Sequence, residues 1–445
     1  MPNRDRLLLT ALLGCLAGTS VAAGDWPAWR GPHGSGWTDE TGLPETWSAT
    51  ENVAWKAAIG GLGVSTPIVA GDLVIVTSQV GAGIRRPGRH PRLVQGGDAE
   101  RAGERALGAS RHAGDDAVAF LVEAFHRDDG RRLWAYRLPA VGDLPGVHDK
   151  HNLASPSPVT DGEMVFAWFG TGQIAALDME GEEIWSRHLG EEIAPFDLVW
   201  GHSSSPALYA DLLILLCDHE PASYLLAVDK RTGEERWRAD RGSGRLSYST
   251  PLVVEGPAGP ELVVNSSERV DAYDPRTGEL LWYTGDANRF PIPMPLFHDG
   301  IIYMSRGYRS GPYMAIRPGG RGDISESHVV WRRDTGAPYI SSLVLNEGLL
   351  YMATDVGAVT VVDAATGRRT SQQRVEGVFS ASPVAGDGKI YFVSESGETI
   401  VMRAGPEPTV LARNDLGERA IASPAISNGQ LFIRTDDHVF SIGRN

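Results

Sequence analysis

The stretch Ala227–Trp237, AVDKRTGEERW, decides the fold, because much of the chain is that stretch repeated. It returns as AYDPRTGELLW at Ala272–Trp282, and more loosely as ALDMEGEEIW at Ala176–Trp185 and EAFHRDDGRRLW at Glu123–Trp134. A decayed copy, VVDAATGRRTS at Val361–Ser371, lacks the tryptophan. Each copy reads as a short apolar strand ending at a polar residue, a tight turn at Thr-Gly or Asp-Gly, and a second strand whose Trp points inward. Glycine supplies the positive φ that such a turn needs.

A second motif precedes these copies: a Ser/Pro step, an apolar pair, a turn and an apolar strand. It begins at Ser65, Ser157, Ser205, Ser249, Met294, Ser341, Ser382 and Ser423. After the first interval the spacing is roughly 40 to 50 residues, the period of a propeller blade. A unit of four strands that cannot bury its own faces calls for radial repetition. The prediction is an all-β, eight-bladed β-propeller with four-stranded blades over residues 51–445. The last unit shows only three strands, ending with His438–Ile442. Asn52–Ile59 supplies the fourth, so an N-terminal strand closes the ring and removes its open edges. Trp55, Trp134, Trp185, Trp237, Trp282 and Trp331 then fit an inter-blade packing position.

The A-x-D-x-x-T-G-x-x-x-W pattern, complete at Ala227 and Ala272, resembles the tryptophan-docking repeat of pyrroloquinoline-quinone (PQQ) propellers. That superfamily includes quinoprotein alcohol dehydrogenases and the outer-membrane assembly lipoprotein BamB. The resemblance spans Asn52–Asn445, and the opening DWPAWRGPHGSG (Asp25–Gly36) is similar to that of bacterial PQQ-like secreted proteins. It implies the fold. It does not imply a cofactor, because the repeat marks blade packing and members share it with or without one.

Met1–Ala23 reads as an export signal: Arg4 and Arg6, an apolar Leu7–Leu16, and a small-residue site at Val21-Ala22-Ala23. The rival reading takes Cys15 as a lipid-attachment site, as in an assembly lipoprotein. The apolar core is too short for a stable membrane anchor, so the expected location is periplasmic or secreted. After cleavage only Cys217 remains of the two cysteines; no internal disulfide can form, and a lone thiol of this kind belongs in the core. The net charge of −15 argues against nucleic acid or an anionic membrane as partner. A monomer is expected.

Residues 24–50 form an N-terminal extension without periodicity. Its Trp26, Trp29, Trp37 and Trp47 are expected over the propeller flank, a sugar-stacking surface being the alternative. Residues 79–116 read as a long loop inserted in the first blade, rich in arginine: Arg85, Arg86, Arg89, Arg92, Arg101, Arg105 and Arg111. It covers a pocket, docks a partner, or is a solvated insertion.

Strand order separates two faces. With strands A to D running from the axis outward, A–B and C–D turns emerge on one face, and B–C loops and D–A links on the other. The first set is short and generic. The second holds the chemically unusual clusters, which is where binding residues are expected on a rigid scaffold. Candidate ligand-binding residues there are His148, His151, Asn152, Trp200, His202, Asp218, His219, Asn265, Glu268, Arg269, Arg306 and Tyr308. His151, His202 and His219 would form a polar centre, with Trp200 and Tyr308 as an aromatic wall. Arg269, Arg306 and Arg309 suit an anionic group, unless they are ion-paired to neighbours such as Glu268. The bland reading is that these residues only tie blades together. The histidines with Asp149, Asp218 and Glu220 could bind a metal, although no pair has a recognised metal spacing. Ser203–Ser205 belong to the repeating step and lack a strained nucleophile turn.

A quinoprotein enzyme would lead one to expect an adjacent Cys-Cys pair, a C-x-x-C-H haem site or an assignable calcium-binding Glu/Asn/Asp set, and none is found. The sequence therefore reads as an exported PQQ-like propeller that binds a small molecule or an exported protein through its B–C/D–A face. No catalytic residue is assigned and no cofactor is expected. The alternatives are a quinoprotein-type oxidoreductase carrying PQQ and calcium, and a BamB-like assembly scaffold.

Overall fold

The computed structural model describes residues 24–84, 117–308 and 310–443. The leader at Met1–Ala23 with Cys15, the seven arginines of the insertion, and Arg309 lie outside the described residues.

Eight antiparallel sheets follow one another in chain order. From the axis outward, blade one is Ile68–Ala70, Leu73–Val80, Ala119–His126 and Arg132–Pro139. Blade two is Val159–Thr160, Met164–Trp168, Gln173–Asp178 and Glu183–His188. Blade three is Ala207–Tyr209, Leu212–Asp218, Ser223–Asp229 and Glu235–Asp240. Blade four is Leu252–Gly256, Gly259–Asn265, Val270–Tyr273 and Leu280–Thr284. Blade five is Leu296–His298, Ile301–Ser305, Tyr313–Ile316 and Val329–Arg333. Blade six is Val344–Asn346, Leu349–Ala353, Ala358–Asp363 and Arg369–Arg374. Blade seven is Val384–Gly386, Lys389–Val393, Glu398–Arg403 and Thr409–Asp415. Blade eight is Ala425–Ser427, Gln430–Arg434, His438–Ile442 and Val53–Ala58, the last running antiparallel from Val53↔Ile442 to Ala58↔His438. The ring is closed by the N-terminal strand. Strand two of blade one runs to Val80, so Gln79 and Val80 are ladder rather than insertion.

Middle strands lie between neighbouring blades and are apolar throughout, as in Met164–Trp168, whereas the outer strand Arg132–Pro139 alternates because one face meets water. In each outer strand a bulge immediately precedes the tryptophan position, as between Ala227↔Trp237 and Val228↔Glu235, where Arg236 is the extra residue. Trp185 packs on Gly233 of the next blade's turn and its indole N–H donates to Lys230 O at 2.9 Å. The same pairing joins Trp55 to Gly130 and Arg127 O, Trp134 to Gly181 and Met179 O, Trp237 to Gly278 and Pro275 O, and Trp331 to Gly367 and Ala364 O. These glycines have positive φ, and a Cβ on Gly233 would lie 2.8 Å from the Trp185 ring.

Trp282 departs from that expectation. Blade five has no Thr-Gly turn to receive it; its C–D connection instead lays Gly322–Asp323 parallel to Leu280–Thr284 as a fifth strand on blade four. The buried Trp282 donates to Glu261 Oε2 at 2.6 Å within its own blade.

The Ser/Pro step proves to be an inter-blade clasp. The N–H of Thr66, Ser157, Ser205, Met294, Ser342 and Ser382 each donates to the next blade's hydroxyl, on Ser157, Ser205, Thr250, Ser342, Ser382 and Ser423, at 2.9 to 3.0 Å. The junctions of blade four with five and of blade eight with one lack it, since Met294 has no hydroxyl and Thr66 Oγ1 accepts nothing. A buried arginine clamps each: Arg306 bonds Asn265 Oδ1, Ser266 O and Asp286 O, and Arg434 bonds Ser65 Oγ, Thr77 O and Ser78 Oγ.

The N-terminal extension enters the ring instead of lying over its flank. Trp26 exchanges backbone bonds with Val69 of blade one (2.8 and 2.9 Å), and Trp37 bridges Ala385 of blade seven. Between them Arg30, 1% exposed, donates to Pro383 O and Leu343 O, and Trp29 reaches up the axis to Ser423 Oγ at 3.4 Å. The inner edges of the strands offer unpaired backbone groups, which is why a polar loop is held there. Only Trp47 packs as expected on a blade, against Tyr391.

Candidate functional site

The D–A links converge on one end of the axis. Counting from the Ser/Thr of each step (Met294 in blade five), the residue two positions earlier lines a cavity of about 170 Å³ in every blade: Val64, Ser155, Ser203, Tyr248, Ile292, Ile340, Ser380 and Ile421. Trp29 forms its floor. The lining is divided. Blades four to six present Tyr248, Phe290, Ile292, Tyr339 and Ile340, while the links into blades two, three and seven present His148, Lys150, His151 and the serines, beside Trp200.

Lys150 spans the mouth. Its ammonium meets both oxygens of Glu395 in blade seven, at 2.8 and 2.9 Å, and Ser380 Oγ donates to the same carboxylate at 2.5 Å. His148 sits edge-on to Trp200, with ring centres 5.7 Å apart, and its backbone N–H donates to Trp200 O at 3.0 Å. His151 pairs its Nδ1 with Ser155 Oγ, and burial pushes its pKa down to about 4, so it is neutral at pH 7.

Of the sequence candidates, His148, His151 and Trp200 line the cavity. Tyr308 stands just behind the wall, edge-on to Phe290 and Tyr339 at 5.2 and 5.4 Å. Asn152 is buried and donates from Nδ2 to Leu62 O. The rest do not reach the mouth. His202 and His219 are buried between blades two and three in a stack with Trp168 and Phe196. Burial lowers both, His202 well below its ordinary value and His219 to about 4, so they are not the polar centre. Arg306 is buried away from the mouth, its two terminal nitrogens bonding Asn265 Oδ1, Ser266 O and Asp286 O of the preceding blade. Asn265, its partner, also donates to Pro293 O and Ser305 O.

Arg269 is consumed as well. It pairs with Asp271 at 2.6 Å and lies over Tyr283. It belongs to a network joining blades three and four, in which Arg241 chelates Asp218 (2.8 and 3.0 Å), and Arg245 bridges Asp271 and Glu268. Burial alone would raise the Asp218 carboxyl; the Arg241 charge and hydrogen bonds outweigh it and hold the pKa below the ordinary carboxylate value. Among the described residues no three His, Cys, Asp or Glu side chains are grouped to hold a metal ion.

The sequence reading missed Tyr248, Ile292, Ile340, Ser380, Ile421 and the Lys150–Glu395 pair. The signal for most was present: the register two residues before each step. Unusual residue types drew the reading instead.

Eight blades around a capped axis, five of their junctions docked by tryptophan on glycine, define a PQQ-like propeller. A family profile described as outer membrane protein assembly factor BamB matches residues 118–291, 322–405 and 357–442, more than half the chain, and the chain belongs to that family. The Yersinia pestis outer membrane protein assembly factor BamB is 23% identical over 329 residues, covering 70% of this chain. This chain spans only 66% of that relative's length. The crystal structure of BamB from Moraxella catarrhalis superposes with a TM-score of 0.51 at 15% identity, covering 73% of this chain and 88% of that one. The quinohemoprotein alcohol dehydrogenase of Comamonas testosteroni gives 0.62 at 12% identity, covering 96% and 82%. At these identities both show the fold alone.

Proposed function

We propose that this protein is a binding propeller whose axial mouth takes one ring-sized group with an apolar face and a polar edge. The observation that carries the reading is the uneven lining: Tyr248, Phe290, Ile292, Tyr339 and Ile340 across blades four to six, and serines, His148 and neutral His151 on the links into blades two, three and seven, with Ile421 and Val64 between them. A cavity of about 170 Å³ admits about one ring. The ring belongs to a small molecule or to an aromatic side chain of an exported protein partner. The relatives named as assembly factors favour the second source, and Met1–Ala23, read as an export leader, supports a periplasmic location. A diacylglycerol on Cys15, found by intact mass, would replace that with an anchored lipoprotein.

A bound quinone is not part of the proposal. PQQ is a tricarboxylate, and Lys150, the one lysine or arginine lining the mouth among the described residues, is already held by Glu395. Arg269 and Arg306 are committed elsewhere, and among the described residues no carboxylate set suited to calcium lines the cavity. Quinone absorbance with stoichiometric calcium in the purified protein would instead establish the oxidoreductase reading.

The test is calorimetric titration with p-cresol and with the peptide Ac-Gly-Tyr-Gly-NH2, whose ratio of affinities separates the two sources. Trp200→Ala and Ile340→Ser should weaken both at least about tenfold while leaving thermal unfolding nearly unchanged. Undiminished binding by both variants would remove the mouth as the site.

A further inference from the structure

The opposite end of the ring carries a larger cavity that this reading does not use. It measures about 570 Å³ and lies between the loop 27–35 and the inner strands of blades three to five. Its walls are apolar, with Trp29, Leu208, Leu252, Met294 and Phe297. Among the described residues no lysine or arginine lines it. Its charged groups are acidic: Asp161 is neutralised by Lys230 at 2.9 Å, Asp299 meets only His298 at 3.3 Å, and the exposed Glu255 has no ion-pair partner among the described residues.

The inner strand edges decide what fits. This chain's own backbone already occupies three of them: Trp26 on Val69, Pro27 O accepting from Thr160 N at 3.0 Å, and Gly36 and Thr38 flanking Ala385 at 2.8 and 3.0 Å. Blade four is left open, and its inner strand Leu252–Gly256 is the longest of the eight. Gly256↔Gly259 closes a two-residue hairpin, and Pro260 opposite Glu255 has no N–H to give. The phase is thereby fixed: Leu252, Val254 and Gly256 bond the neighbouring strand, and the N–H and C=O groups of Val253 and Glu255 turn to the cavity. Both residues line it.

We propose that this cavity docks an extended peptide segment, added as a strand along Leu252–Gly256, with apolar side chains against Leu208 and Phe297 and a lysine or arginine beside Glu255 and Asp299. Main-chain bonds give such a mode its affinity and alternate side-chain pockets its specificity, and the acids Glu255 and Asp299 select a basic residue. The site lies on the face opposite the axial mouth, so it stands or falls independently of the ring-binding reading.

The test uses full-length protein and a fluorescein-labelled peptide, Lys-Val-Lys-Val-Lys-Val, read by anisotropy and hydrogen–deuterium exchange. Expected are saturable binding, slowed exchange across Leu252–Gly256, and at least about tenfold weaker binding of the backbone N-methylated peptide. The exposed double substitution Glu255→Lys, Asp299→Lys should also weaken binding about tenfold, with an unchanged melting curve showing that it folds. Absence of saturable binding, equal binding of the N-methylated peptide, or protection confined to the mouth around Ser380 and Ile421 would each overturn the proposal.

Discussion

At the scale of single residues, buried arginines replace hydroxyls where the ring needs a clasp. Six blade junctions use a serine or threonine as acceptor; the two without that bond carry Arg306 and Arg434. Burial lowers the Arg306 pKa to about 10, which still leaves it charged at pH 7. A charge so deep is tolerated because carbonyls receive its donors. Arg306→Ala leaves Ser266 O, Asp286 O and Asn265 Oδ1 without that donor, and should cost about 3 kcal/mol or more. Urea unfolding checks it; a loss under about 1 kcal/mol would contradict the clamp. The sequence marked Arg306 as unusual but not as spent, since loop position says nothing about the neighbouring blade's carbonyls.

At the scale of elements, the two parts of the N-terminal region do different jobs. Val53–Ala58 completes blade eight, and Trp55 docks on Gly130 with its N–H on Arg127 O. The preceding extension fills the axis with Trp29 and Arg30 and separates the two cavities. Deleting the chain through Ile59 removes both, opening a sheet edge and emptying a tryptophan site that alone is worth about 3–5 kcal/mol. The truncated protein should melt far below the full-length chain or fail to fold. Equal melting temperatures would refute closure. Strand closure was legible because a three-stranded last unit and a spare strand are both visible in sequence. The path of the extension was not, because its residues follow no period.

For the whole molecule, stability should fall on mild acidification. His151 and His219 ionise near pH 6.5 when unfolded but, through burial, only near about 4 when folded. Between those values the unfolded chain binds the extra protons, so stability is complete above about pH 6.5 and is lost as pH falls toward about 4. At pH 5 each histidine contributes a loss of roughly 2 kcal/mol. His219→Leu should flatten the change in urea midpoint between pH 7 and 5 by about that amount; an unchanged slope would show that His219 is protonated in the fold.

Blade count, strand order, closure and the tryptophan docking of five junctions are legible in repeated local patterns, because turn glycines and apolar alternation act over a few residues. The sequence also separated the face with varied loops from the face with generic turns. Only the tertiary structure decided which side chains on that face remain available. Blade against blade, His202, His219, Asp218, Asn265 and Arg306 are buried, and Glu268 and Arg269 are drawn into an ion network, while plain residues such as Ile340 and Ser380 reach the mouth. The same limit hid the departure of Trp282, whose environment depends on how blade five connects its outer strands. Local patterning fixes each blade, but burial and partner choice are settled across junctions between segments some 40 residues apart, where no short-range pattern reaches.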